Sequence, residues 1–126
     1  MEAYEVYWLE PDRVLFVNYK GFQTAETVNA CMDLQAAELD RATTPVIVLV
    51  NWEEVTGVEP DAIKSTQGHR GYSHPMATRG VLVGFDQQQA FENTVSAFST
   101  RQSQHTIYFK TLDEAMDYLK GMLRND

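Results

Sequence analysis

Three histidines, one cysteine and one cationic stretch are the residues of this 126-residue chain whose types and spacing could support chemistry. A zinc-type site needs two or three nitrogen or sulfur ligands converging with a carboxylate. His69 and His74 are five apart, in a stretch punctuated by Gly68, Gly71 and Pro75, and match no helical ligand pair. They read as exposed loop histidines, and His105, which opens an expected strand, reads as a surface residue, so no metal is expected. Cys31 lies beside Met32 inside a helical pattern and reads as packing rather than as a thiolate nucleophile. Neither G-x-G-x-x-G nor G-x-x-x-x-G-K-[ST] occurs, which leaves no backbone cradle for a dinucleotide or a P-loop nucleotide. There is no G-x-S-x-G elbow, and Ser65, Ser73, Ser96, Ser99 and Ser103 fall in helix or loop contexts. No catalytic residue and no cofactor is therefore expected, and the chain reads as a non-enzyme. An enzyme of unrecognised type would have only His69 or His74 beside Glu59 or Asp61 to work with.

The cationic stretch is less bland. From Ala62 to Phe91 the single acidic residue is Asp86, whereas Lys64, His69, Arg70, His74 and Arg79 all fall inside that window. With Gly68, Gly71, Tyr72 and Ser73 it has the make-up of an anion-binding or partner-binding loop, because arginine forks and exposed amides suit carboxylate and phosphate. The competing reading is a solvated loop with no binding role.

Composition narrows the partner. The formal charge of −8 repels phosphate backbones and anionic lipid, so neither nucleic acid nor a membrane surface is expected. A protein partner or a small ligand is expected instead. A homodimer through an edge strand or an exposed helix face is compatible with the sequence. One cysteine excludes an internal disulfide, a Cys-rich zinc site and a dithiol motif, and it fits a reducing compartment. No run approaches the roughly 18 apolar residues of a membrane span, and Met1 to Glu5 is acidic where a signal peptide is basic. The reading is a cytoplasmic protein with one domain over residues 1–126, large enough to fold around a single core.

The elements that would position these residues follow from periodicity. Tyr4 to Leu9 and Arg13 to Tyr19 read as a hairpin around Glu10-Pro11-Asp12, with Gly21 ending the second strand. Thr24 caps a first helix, in which Ala25, Val28, Met32, Ala36 and Leu39 recur at helical spacing to about Asp40. Pro45 to Val50 is an unbroken apolar run, the pattern of a strand covered on both faces and the candidate for the sheet centre. A short second helix is expected from Pro60, with Asp61 in its first turn. Gly80 to Phe85 and His105 to Phe109 read as strands. Asp86 to Gln89 and Thr111 to Glu114 have capping-box spacing ahead of a third and a fourth helix, the third running to about Thr100. The order β β α β α β α β α predicts an α/β fold: an N-terminal hairpin, a mostly parallel five-stranded sheet with one antiparallel edge strand, and four helices.

Several of these runs carry a family pattern. Val14-Leu15-Phe16-Val17-Asn18-Tyr19-Lys20-Gly21, the segment Val50 to Glu59, Gly80-Val81-Leu82-Val83-Gly84, Ile107-Tyr108-Phe109 and Leu112 to Leu119 resemble STAS domains, the anti-sigma-factor-antagonist fold. The resemblance is closer to the SpoIIAA-like branch, also called STAS/SEC14 domain proteins, and covers nearly the whole chain. It implies a bacterial, regulatory binding domain. Antagonists of the phospho-switch type carry Asp-Ser-Ser-Gly at the start of the second helix, with the second serine phosphorylated. The matching positions here are Glu59-Pro60-Asp61-Ala62, so Asp61 stands at the acceptor position and no phosphorylation is expected there. A carboxylate supplies about one negative charge against roughly 1.5 to 2 for a phosphoserine. The SEC14 half of the name implies an alternative, a carrier or sensor of a small apolar, lipid-like ligand held under the second helix by Trp52, Tyr72, Met76 and Phe85. The resemblance and the cationic window together put the expected binding surface at Thr56, Gly57, Glu59, Asp61 and Lys64 on one rim. His69, Arg70, Tyr72, His74 and Arg79 form the other.

Overall fold

The computed structural model describes residues 3–62, 65, 74–84 and 106–124. Their elements are β1 (Tyr4–Glu10), β2 (Val14–Gln23), α1 (Ala25–Asp40), β3 (Val46–Val58), β4 (Ala77–Val83), β5 (Thr106–Phe109) and α2 (Leu112–Arg124). The five strands form one sheet in the order β1-β2-β3-β4-β5, antiparallel between β1 and β2 and parallel from β2 to β5. The apolar run after Pro45 is indeed the central strand.

Alternation along the strands divides the core into two layers. Leu15, Val17 and Tyr19 of β2, with Val46, Val48, Val50 and Trp52 of β3, pack against Val28, Cys31, Met32 and Leu39 of α1. Val14 and Phe16, with Leu49, Val81 and Val83, face Ala115 and Leu119 of α2 on the other side. A sheet buried on both faces needs strands that are apolar at successive positions, which is why β3 opens as a continuous hydrophobic run. Leu15, Leu49 and Leu82 are wholly buried, each contributing about 1.5–3 kcal/mol of transfer free energy.

Two expectations need correction. Among the described residues there are two helices rather than four. The helix expected from Asp86 to Thr100 lies outside the described residues, and the one expected at Pro60 does not begin there. Glu59-Pro60-Asp61-Ala62 is a turn, closed by the Ala62 amide on the Glu59 carbonyl at 3.0 Å, with Asp61 at φ +70°. Proline second and a left-handed residue third is the pattern of a type II turn, and proline's φ suits that position as well as a helix start. The hairpin between β1 and β2 uses the same tripeptide in the same way. Arg13 donates to Glu10 at 3.0 Å, and Asp12 has φ +61°. Second, Gly21 does not end its strand, because β2 continues to Gln23. Gly21 takes φ +71° within an irregular stretch of the β2–β3 pairing, a conformation open to glycine without strain.

Candidate functional site

The ends of β2 and β3 project together at the carboxyl end of the parallel strands, where open α/β sheets bind ligands. Gln23, wholly buried, ties this end down. Its amide donates to the carbonyls of Ala3 (2.9 Å) and Lys20 (2.7 Å), and its side-chain oxygen accepts from the Thr27 hydroxyl (2.9 Å). Its backbone carbonyl accepts from Glu59 (2.8 Å). Thr27 also completes a capping box with Thr24, so the start of α1 and the end of β3 are held by one residue pair. On the far side of the turn, the Asn29 amide of α1 donates to the Ser65 hydroxyl (2.9 Å), which donates to the Ala62 carbonyl (2.6 Å).

On this frame Thr56, Glu59 and Asp61 are exposed, and Phe22 is 57% exposed. The Phe22 ring lies over Gly57, where an added Cβ would come within 3.1 Å of it. The twin Glu-Pro-Asp turns differ in what their carboxylates do. Asp12 is employed structurally, accepting from the Thr43 amide (3.4 Å) and hydroxyl (3.3 Å). The Asp61 carboxylate has no such partner among the described residues; only its backbone carbonyl is used, accepting from Ser65 (2.8 Å).

Of the expected second rim, His69, Arg70 and Tyr72, together with Lys64 of the first, lie outside the described residues. His74 and Arg79 are described, and both stand at the other end of the sheet. β4 is seven residues long, about 23 Å at roughly 3.3 Å per residue, and these two sit before it and near its start. His74 Nδ1 accepts from the Met76 amide (3.1 Å), which places the ring proton on Nε2, donated to Asp40 (2.8 Å). With both nitrogens engaged and Glu59 and Asp61 beyond the far end of β4, the His74 pairing an enzyme would have drawn on does not form. Arg79 donates to the Tyr118 hydroxyl (2.5 Å) and lies 3.5 Å from the Met122 sulfur, clamping the last turns of α2, whose negative dipole end suits a guanidinium. Trp52 stacks on Tyr19 in the core, ring centroids 4.7 Å apart, while Met76 is at the opposite strand end. Tyr72 and Phe85 lie outside the described residues.

The buried groups are structural. Burial pushes the Cys31 thiol up to about 12, against a smaller opposing effect of its hydrogen bond with Tyr19. Asn18 and Asn51, side by side on β2 and β3 and both almost fully buried, form a polar ladder. The Asn51 amide donates to Asn18 (3.0 Å), the Asn18 amide donates to Glu54 (2.9 Å), and the Glu53 amide donates to Asn51 (3.2 Å). The Glu53 carboxylate then accepts from the Leu112 amide at the start of α2. Among the described residues no three His, Cys, Asp or Glu side chains converge as a metal site requires, and no helix is long and apolar enough to cross a membrane.

Sequence reasoning passed over Phe22, Gln23 and the asparagine pair. A signal for the asparagines existed, since each is the first polar residue after an apolar run in its strand. Phe22 and Gln23 carried none, because Gly21 read as a stop.

Neither a protein-family model nor a curated protein matches the sequence. Solved structures do match in fold. The anti-sigma factor antagonist SpoIIAA in its unphosphorylated form aligns with a TM-score of 0.63 at 14% identity, covering 94% of this chain and 99% of that one. The phosphorylated Bacillus cell fate determinant SpoIIAA aligns at 0.61 and 15% identity, covering 93% and 99%. An uncharacterised DUF3478-family protein with a SpoIIAA-like fold from Shewanella loihica PV-4 aligns at 0.63 and 19% identity, covering 93% and 92%. The chain therefore has the STAS/SpoIIAA-like fold: an α/β domain on a five-stranded mixed sheet.

Proposed function

We propose that this chain is a non-enzymatic regulatory module of bacterial cytoplasm that binds a protein partner through Phe22, Thr56, Gly57, Glu59 and Asp61. Lys64, His69, Arg70 and Tyr72, which follow Asp61 directly in sequence, extend that surface. One observation carries the reading. Of two identical Glu-Pro-Asp turns, the one at the carboxyl end of the strands leaves its aspartate exposed and unemployed, beside an exposed phenylalanine and on a frame tied to α1. A non-glycine residue in the left-handed region is a feature that concentrates at binding sites. The likeness to an anti-sigma factor antagonist supports a protein partner over a small ligand. With aspartate where the phosphoserine would stand, the carboxylate acts constitutively and the partner is held without a kinase.

The test is site-specific photo-crosslinking in the protein's own cells, with the photoreactive residue at position 56 and, as control, at Asp117 on the exposed face of α2. The expected result is one protein adduct from position 56, absent from position 117 and lost with Asp61→Asn or Phe22→Ala. Equal labelling at both positions, or labelling indifferent to both substitutions, refutes the reading. A small-molecule mass retained in native mass spectrometry, with no protein adduct, moves the assignment to the carrier alternative.

A further inference from the structure

The sheet ends at β1, and the backbone phase of that strand is defined. The Lys20 amide donates to the Ala3 carbonyl (2.7 Å), and Tyr4 pairs with Tyr19. Odd-numbered residues of β1 therefore turn their N–H and C=O groups toward β2, and Tyr4, Val6 and Trp8 turn theirs outward. An outward row of unpaired donors and acceptors is a template for another strand. Two of the three large exposed apolar side chains flank this row. Tyr7, 44% exposed, stands on one face of β1, its ring 5.1 Å from that of Phe16. Leu34, 47% exposed, belongs to α1 one turn before Glu38, whose carboxylate accepts from the Trp8 indole (2.9 Å). Residues i and i+4 share a helix flank, so Leu34 overlooks the β1 edge from the other face.

We propose that this edge docks a second copy of the chain, the two β1 strands pairing antiparallel about a two-fold axis at Val6. The proposal concerns a surface separate from the Asp61 rim. Charge selects the occupant and the register. Pairing about Val6 sets Tyr4 against Trp8 of the second copy and Glu5 against its Tyr7, so a carboxylate meets a hydroxyl donor. Between Ala3 and Leu9 no carboxylate faces another. Glu5 already holds Lys20 at 2.6 Å, and that ammonium draws the Glu5 carboxyl below its ordinary range, so Glu5 enters the interface ionised and half neutralised. The irregularity between Trp8 and Glu10 ends the straight segment there, which limits the contact to Tyr4–Trp8 and closes the assembly as a dimer rather than a fibre.

Sedimentation equilibrium of the full chain tests this. The expected result is twice the chain mass, concentration-dependent, and reduced to the protomer mass by Val6→Pro. The outward Val6 amide makes no bond within the chain, so that change leaves circular dichroism unchanged. Should Val6→Pro unfold the chain, Leu34→Lys decides the matter; as a surface change it weakens association at least tenfold in a folded protein. A protomer mass at every concentration, whether the edge is bare or serves another protein's strand, overturns the proposal. So does a dimer indifferent to Val6→Pro and to Leu34→Lys.

Discussion

Asp61 has φ +70° and Asp12 φ +61°, yet their substitutions should part company. Glycine enters the left-handed region without strain, so Asp61→Gly is expected to stay within about 0.5 kcal/mol of the parent by urea denaturation. Asp61→Val, with a branched β-carbon in the same conformation, should lose about 1–3 kcal/mol. Both remove the carboxylate and should lose the position-56 adduct, which separates binding from stability. Asp12→Gly, by contrast, removes the acceptor of Thr43 and should loosen the hairpin against the α1–β3 connection. Cys31 supplies a pH test. Its thiol, pushed to about 12 when folded, would ionise near 8.5 in the unfolded chain. Below the unfolded value both states hold the proton. Above it only the folded state does, so stability falls as pH rises from about 9 toward 12, by up to about 1.4 kcal/mol per pH unit. Urea midpoints across that range should show the slope in the parent and a shallower one in Cys31→Ala, and native Cys31 should react with thiol reagents only at the rate of opening.

Between elements, the informative positions are glycines and amides. Gly84, leaving β4 at φ +84°, would place a Cβ 2.8 Å from the Glu53 amide nitrogen, whereas Gly21 at φ +71° has open space around it. Gly21→Ala therefore pays only the left-handed penalty, roughly 1–2 kcal/mol. Gly84→Ala adds a backbone collision between β3 and β4 and should cost at least twice as much in thermal or urea unfolding. The asparagine ladder joins β2 to β3. Asn51→Leu strands the Asn18 carbonyl oxygen and the Glu53 amide, at a cost of about 1–3 kcal/mol. Replacing Asn18 and Asn51 together should cost less than the sum of the single changes, and a double-mutant cycle by urea denaturation measures the difference. The strand runs and the first and last helices were legible in sequence because their periodicities are local. Thr24 caps α1, and the Thr111 hydroxyl accepts from Glu114 at the start of α2. The extension of β2 past Gly21 was not legible, since the pairing of Lys20–Gln23 with Glu54–Val58 is a contact between distant segments.

At the scale of the whole molecule the excess of acid dominates. A net charge of −8 on one domain repels itself, so raising the ionic strength to about 0.15 M, where the Debye length is about 8 Å, should raise the melting temperature by a few degrees in a calorimetric series. The same screening should strengthen the β1-edge dimer, which brings two such charges together. The expected binding surface changes at this scale too. The residues from Lys64 to Arg79 looked like one basic rim because they are contiguous in sequence. A parallel strand carries the chain from one end of the sheet to the other, so His74 and Arg79 belong to its amino end and Asp61 to its carboxyl end.

The sequence by itself determined the class of fold, the central strand, the packing role of Cys31 and the caps of two helices, because each rests on near neighbours or on the alternation of apolar residues. It also held both Glu-Pro-Asp turns, although proline's single φ serves a turn and a helix start equally and left the second one ambiguous. Only the tertiary structure decided which of the two aspartates is spent on structure, which nitrogen of His74 carries its proton, and which arginine clamps a helix. Those outcomes depend on partners tens of residues away along the chain, brought within hydrogen-bonding distance by the sheet.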